Sequence, residues 1–507
     1  MVFTSSNFVL FLIAAVVLFY ILPKKVRWIE LLLASCLFYI ASDWRALLFM
    51  VGTTVVTYAG SLYITGNGID HNSQEKDVVG TGQRKKGSKV FFVLILLADL
   101  GVLLVTKYTG FAVEIVNLFR KGAEPLTPPA ILVPLGVSFY TFRTVAYLAD
   151  CYQGKIVAEK NPLKFFLYIS FFPTVIQGPI TRYKDLSEPL FSGKGASEKT
   201  FWFGVQRILW GFFKKLVIAD RAGIAVKAIV SDLETYRGGY ALVYIFLFMF
   251  ELYADFSGGM DIALGVSDIF GIPVVENFKR PFFSKSASEF WKRWHATMGA
   301  FFRDYIYIPL GGDGRSAATK AKKNFVFYRN MIIVWLATGL WHGAGFNFIV
   351  WGLLNLAVLL LGAITRPMTK KFQENCGLAK TKGFQFFRML RTSFVISFIM
   401  SLLSFSDAKT AFTLWGSIFT GAGYKEVFNG GLLELGLQFH DYIILLVGFI
   451  MLFVVSLLQR TGSVREKMLK IPYILRFIIF LSLLVSIILF GIYGIGYDAS
   501  QFIYNRF

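Results

Sequence analysis

The chain has 507 residues, 55% of them hydrophobic and 17% aromatic, and its mean hydropathy is +0.59. Repeated apolar runs of membrane length, separated by short charged loops, exclude an ordinary soluble protein of two or three domains. The formal net charge of +21 then reads as basic loops facing an anionic leaflet, and not as nucleic-acid binding.

The first apolar run, FVLFLIAAVVLFYILPKKVRW, lacks a basic leader and a small-residue cleavage site. It is expected to be a first transmembrane helix and not a removable signal. Spans are predicted at about residues 7–22, 28–42, 46–64, 90–106, 130–149, 163–180, 203–230, 240–268, 330–345, 346–364, 388–405, 441–458 and 472–494. Allowing for doubtful ones, the expectation is an all-α polytopic membrane protein of roughly eleven or twelve crossings with two or three interfacial helices. The stretch FWFGVQRILWGFFKKLVIADRAG carries Arg207, Lys214, Lys215, Asp220 and Arg221, and is expected to be tilted, half-buried or interfacial. Lys24, Lys25 and Arg27 after the first span, the loop ending in QRKKGSK, and the Lys- and Arg-rich stretch from Lys279 to Arg329 put the cytoplasm on those sides and the N-terminus outside. Three regions are expected: N-terminal transmembrane helices over 1–120, a core over 121–380, and C-terminal transmembrane helices over 381–507.

Cys36, Cys151 and Cys376 are scattered, with neither disulfide nor zinc spacing. With so few histidines and no cysteine cluster, no metal site is expected. No GxSxG, HExxH or P-loop sequence occurs. His71, in the polar loop NGIDHNSQEKD, and His440, beside Asp441 at the start of a span, are read as solvated and without a role.

Two histidines remain. His295 lies in SASEFWKRWHATMGAFFRDYIYIPLGG. Read as a helix starting near Ser286 or Ser288 with Glu289 in its first turn, this segment puts Trp291, Trp294, His295, Met298 and Phe302 on one apolar face. On those residues alone, a core histidine satisfied by a neighbour is the more natural reading, ahead of a functional one. His342 lies in WLATGLWHGAGFNFIVWG, and no Asp, Glu, Lys or Arg falls between Asn330 and Thr365. An ionisable ring at that depth is costly; burying one unpartnered polar group costs about 1–3 kcal/mol. Glycines at 339, 343 and 345 leave room for close approach by another helix or a substrate. A neutral imidazole on an internal cavity suits a general base for a hydroxyl nucleophile, although a helix–helix hydrogen bond would also account for it.

Four blocks in order, VPLGVSFYTFRTVAYLADCYQG, SFFPTVIQGPITRY, EFWKRWHATMGAFFRDYIYIPLGG and LWHGAGFNFIVWG, resemble the membrane-bound O-acyltransferase (MBOAT) family. The likeness falls on its bacterial alginate O-acetylation branch and, more distantly, on the D-alanyl-transfer branch. The resemblance implies an MBOAT-type fold with an internal tunnel, His342 as the catalytic residue and His295 as a second polar residue in the reaction chamber. Trp294, Trp341, Asn347, Gln177 and Tyr305 are then expected along the substrate path, and Arg293 and Arg303, from the basic cytoplasmic segment, are expected to meet the phosphates of a donor. The sequence departs from that branch at Arg143, where Gln is common, and at Asn355, where His is frequent.

Taken together, these readings predict a membrane O-acetyltransferase drawing on cytoplasmic acetyl-CoA as substrate, with no bound cofactor, in a bacterial plasma (inner) membrane. It would serve O-acetylation of an exopolysaccharide or cell-wall polymer through a secreted or periplasmic SGNH-like partner. Lys279, Arg280 and Lys292 join the basic groups expected near CoA or anionic lipid. One rival is D-alanyl or other acyl transfer from an acyl-carrier protein. Another is a proton-coupled small-solute transporter, for which Asp99, Asp150, Asp255 and Asp261 are the carboxylates to watch.

Overall fold

The computed structural model describes residues 3–66, 87–120, 124–316, 319–377, 381–494 and 497, and among them no β-strand occurs. His71 and most of its loop lie outside the described residues. Among the described residues, seven helices are long and apolar enough to cross a membrane, namely Lys24–Thr65, Ser88–Phe119, Gly239–Ile269, Phe346–Asn375, Lys382–Ser404, Phe439–Thr461 and Tyr473–Phe490, with a shorter apolar helix at Ser6–Ile21. The last of the seven is almost wholly apolar, yet only 6% of its residues are buried. An apolar helix turned almost wholly outward is what hydrocarbon requires, because lipid, unlike water, does not penalise it. The protein is therefore a multi-pass all-α membrane protein.

The chain forms two compact units, Met1–Val205 with Ala263–Val275 and Gln206–Ile262 with Glu276–Phe507.

In the first unit, the predicted spans at 28–42 and 46–64 are two helices within Arg27–Thr65, separated by a kink where Asp43 takes extended dihedrals of φ −161°, ψ 116°. Asp43 Oδ1 accepts from the Arg45 backbone N–H at 2.8 Å, so the break is capped from within. The span predicted at 163–180 is not one helix. Pro162–Ser170 ends at Phe171, which leaves the helical region at φ −45°, ψ 103°, and only the single turn Phe172–Val175 follows. Arg143, on the helix Val137–Tyr152, is buried. Its guanidinium donates to the carbonyls of Tyr168, Ile169 and Thr174, and so ties off the broken helix end. A cleft of about 440 Å³ in this unit is lined by apolar residues with Arg45, Thr53 and Asp99; of the residues singled out in the sequence it holds Asp99 alone and neither histidine.

The second unit begins at Gln206, within the helix Glu198–Phe212, and the chain continues through a π-helical segment, Phe213–Ala219, into Asp220–Ser231. In the stretch expected to be tilted, half-buried or interfacial, Arg207, Lys214, Lys215 and Arg221 are buried and Asp220 is half-buried. The consecutive residues Lys214 and Lys215 reach different carboxylates. Lys214 Nζ meets Asp261 at 2.5 Å, while Lys215 Nζ meets Asp255 at 2.5 Å and Asp220 at 2.8 Å. Arg207 joins Asp261 at 2.8 Å to Glu276 at 2.6 Å. Pairing of this kind is what lets charge persist away from water. Asp255 and Asp261, two of the carboxylates watched for a proton relay, are thereby engaged as counter-ions.

Candidate active site

Both histidines singled out in the sequence lie in the second unit and are buried. The helix Lys320–His342 ends on its histidine, and Phe346–Asn375 returns after a three-residue turn. These helices touch through glycine. A Cβ on Gly339 would lie 2.5 Å from the Phe348 carbonyl oxygen, and one on Gly352 would lie 2.6 Å from that of Trp335. The close helix approach expected from Gly339 is therefore present, with Gly352 as its counterpart. In the turn, a Cβ on Gly343 would run into the Phe348 ring at 2.0 Å.

That contact sets His342 among tryptophans. Its ring centroid is 4.9 Å from Trp341 and 4.6 Å from Trp351, and Trp291 packs on Trp335 at 5.0 Å and on Trp351 at 5.6 Å. His342 Nδ1 lies 2.7 Å from the Thr338 carbonyl oxygen one turn back. Carbonyl oxygen only accepts, so Nδ1 carries the hydrogen and Nε2 the lone pair.

Around His295 the structure corrects the sequence. Ser286 does cap a helix, its Oγ accepting from the Glu289 N–H at 3.2 Å. That helix, however, ends at Arg293 instead of running on through Phe302. Trp294 is extended, His295 is left-handed at φ 47°, ψ 50°, and a second helix begins at Ala296. Left-handed backbone costs a non-glycine residue about 1–2 kcal/mol, and such strain collects at functional sites. Compensating hydrogen bonds run to the segment that follows Glu276. Lys279 N–H donates to the Arg293 carbonyl at 2.8 Å, and Ala296 N–H to the Asn277 carbonyl at 2.9 Å. Periodicity carries no signal for such a break, because Trp291, Trp294 and His295 keep helical spacing.

The break turns the His295 ring onto Phe256, 4.9 Å away, and toward Trp341, 5.8 Å away. Trp341 thus lies next to both imidazoles. Burial, with a smaller contribution from His342, holds the His295 ring well below its ordinary pKa, so it is neutral at pH 7.

The remaining predicted residues divide. Trp294 packs against Phe278 at 5.0 Å and Phe290 at 5.4 Å, in the aromatic cluster that includes Phe256. Asn347 donates to the Phe405 carbonyl at 2.7 Å, which ties the helix start to a later segment. Tyr305 packs its ring against Phe301, centroids 5.0 Å apart and tilted by 48°. Gln177 is buried in the first unit. Arg293 is paired with Glu289 at 2.5 Å and Arg303 with Asp304 at 2.7 Å. Asn355 donates to the Trp351 carbonyl at 2.9 Å. Its Oδ1 and the Trp351 and Trp291 Nε1 atoms are buried without protein partners among the described residues, so polar positions stand open around the tryptophans. His440 is exposed beside Asp441.

The sequence profile described as "membrane-bound O-acyltransferase family" matches residues 156–405, a stretch that contains both histidines. A "Probable alginate O-acetylase AlgI" of Pseudomonas syringae pv. tomato is 35% identical over 362 residues, covering 69% of this chain and 64% of that protein. Its namesake in Pseudomonas putida is 35% identical over 361 residues, covering 69% and 68%. A "Peptidoglycan O-acetyltransferase" of Helicobacter pylori is 32% identical over 376 residues, covering 68% and 65%. The match spans just under two thirds of the length of the first of these relatives.

Proposed function

The chain belongs to the membrane-bound O-acyltransferase family, and from that premise we propose that it transfers an acetyl group from acetyl-CoA to a hydroxyl acceptor in O-acetylation of an extracellular polymer. The observation that carries the reading is the pair of buried imidazoles flanking Trp341 inside the family-matched segment. The acetyl group and the polymer draw on the relatives, whose names specify alginate and peptidoglycan.

In the proposed reaction His342 Nε2 takes the proton of the acceptor hydroxyl as its oxygen attacks the thioester carbonyl. The carbonyl π electrons move onto oxygen, giving a tetrahedral intermediate. On collapse the C–O double bond re-forms and the C–S bond breaks. The sulfur leaves with the proton returned by His342, so the products are an ester and a thiol and the histidine is unchanged. General base catalysis of this kind typically contributes about 10²–10⁴-fold. The tryptophan cluster keeps bulk water from the thioester, which limits hydrolysis.

The donor enters from the cytoplasm, where the basic residues Lys279, Arg280, Lys292, Arg293 and Arg303 raise the local concentration of CoA phosphates. The acceptor side faces outward, with the N-terminus outside, in a bacterial plasma membrane, and a secreted or periplasmic acetyltransferase partner carries the acetyl group onward to the polymer. Inside-out vesicles holding the purified secreted proteins of the source cell, given radiolabelled acetyl-CoA or a radiolabelled acyl-carrier thioester, test this. Label on a lumenal protein or glycan from acetyl-CoA is the expected result. Label from the carrier thioester alone would replace the donor.

A further inference from the structure

Asp99 is an ionisable side chain on a membrane-crossing helix, Ser88–Phe119, and it is buried there with one oxygen to spare. An ionisable group at such a place calls for a partner that can be named. The facing helix supplies one hydroxyl. Thr57 Oγ1 lies 2.8 Å from Asp99 Oδ2 and 2.9 Å from the Thr53 carbonyl oxygen. A hydroxyl can donate once and also accept, so it bonds to Oδ2 whichever way its hydrogen points. Thr144 also faces Asp99, but its hydroxyl donates to the Thr141 carbonyl at 2.9 Å. Asp99 Oδ1 has no hydrogen-bond partner among the described residues.

This carboxyl lines the cleft of about 440 Å³ in the first unit. The two helices close on each other where a Cβ on Gly60 would run into the Ile95 side chain, whereas a Cβ on Gly52, about two turns away, would meet nothing within 4 Å. The pair therefore opens as a wedge, and Asp99 meets Thr57 between those two levels. The walls are Leu48, Phe49, Val56, Ala98 and Val102. Leu48, Phe49 and Val56 are exposed, which on a membrane-crossing helix means exposed to hydrocarbon. A water held at Oδ1 would find few of the two to four polar partners it needs. Arg45, the cation on the lining, is already satisfied by Asp43, with Nε 3.1 Å from Oδ1 and Nη2 3.0 Å from Oδ2. The cleft thus calls for one polar group at Asp99 and for no anion.

We infer that this cleft binds a neutral, single-chain lipid alcohol from the bilayer, with the hydroxyl at Asp99 Oδ1 and the chain along the apolar walls. A hydroxyl both donates and accepts, so it satisfies Oδ1 whether or not the carboxyl carries its proton, and it brings no charge into the hydrocarbon. The volume falls at the low end of the roughly 300–1,000 Å³ of ligand pockets, which suits one chain and not a two-tailed lipid. The site stands apart from the acyl-transfer reading. Its lining residues precede the family-matched stretch, 156–405, and include no histidine.

The test photolabels the full chain in phosphatidylcholine nanodiscs with a diazirine analogue of hexadecanol and maps the labelled peptides by mass spectrometry. The competitors are hexadecanol and hexadecane, which has the same chain without the hydroxyl. Label is expected on the stretches 45–56 and 98–102, displaced by hexadecanol at about 10-fold lower mole fraction than by hexadecane, the difference one hydrogen bond makes. Asp99→Leu keeps the volume and removes the polar end, and is expected to take label with no preference between the competitors. Gly52→Leu puts a side chain into the open end of the wedge, where its Cβ displaces nothing, and is expected to lower the label at least 10-fold with the fold intact. Equal displacement by both competitors in wild type would mean that water or phospholipid tails fill the cleft, and would overturn the inference even if Asp99→Leu does not fold. Label on 45–56 that persists in Gly52→Leu would also overturn it.

Discussion

Gly352→Ala is the sharpest test of how the helix pair serves His342. The added Cβ would sit 2.6 Å from the Trp335 carbonyl oxygen and 3.4 Å from Gly339 Cα, and backbone atoms cannot rotate out of the way. Relieving the contact needs the two helices to separate by roughly 0.5 Å, an overpacking strain of about 1–3 kcal/mol. Trp351 is the preceding residue and carries the ring against His342, so the strain reaches the imidazole directly. If a 1 Å misplacement costs about 10²-fold, half of that predicts roughly 10-fold in kcat. A Cβ added to Gly362, on the same helix, would meet nothing within 4 Å, and Gly362→Ala should be neutral or stabilising by about 0.5–1 kcal/mol. The assay pairs acyl-transfer rate with thermal inactivation of both variants in matched bilayers. Wild-type rate and thermal stability in Gly352→Ala would refute the close-contact argument.

Asp261→Asn should leave the buried cations Arg207 and Lys214 short of charge. It is expected to cost about 3–5 kcal/mol, read as lost folded protein by size-exclusion fluorescence; unchanged yield and thermal stability would contradict that role. His295 carries a linkage prediction. Its folded pKa is held well below the ordinary 6.5, so between those values the unfolded chain binds a proton that the folded chain does not. The full contribution to stability is present above pH 6.5 and is lost as pH falls below it, at up to about 1.4 kcal/mol per pH unit. His295→Gln should flatten the acid side of a stability–pH curve by about one proton; an unaltered slope would count against a buried neutral ring.

Much of the membrane architecture was legible in hydropathy, because span length and composition are imposed by the bilayer and not by tertiary detail. His342 was legible for the same reason: a lone ionisable ring in an uncharged run stands out. Gly339 announced a close contact, but its partner Gly352 had no local mark. The break at Trp294 and His295 was hidden, since the residues keep helical spacing and the backbone turns only because Asn277 and Lys279, well separated in sequence from that face, supply the replacement hydrogen bonds. Asn277 itself carried no signal, and an asparagine in IPVVENFKR reads as a loop residue until its amide nitrogen is found 3.0 Å from His295 Nδ1. The charges of the 203–230 stretch misled for a related reason. Their counter-ions Asp255 and Asp261 sit on a distant apolar helix, and only the fold brings them together.

The most direct measurement compares wild type with His342→Ala, at matched expression and with fold confirmed, for acetyl transfer from labelled acetyl-CoA in vesicles supplied with the same lumenal acceptors. A fall of about 10²–10⁴-fold with donor binding retained is the expected result. Equal labelling by both proteins would contradict the assignment of the chemistry to His342.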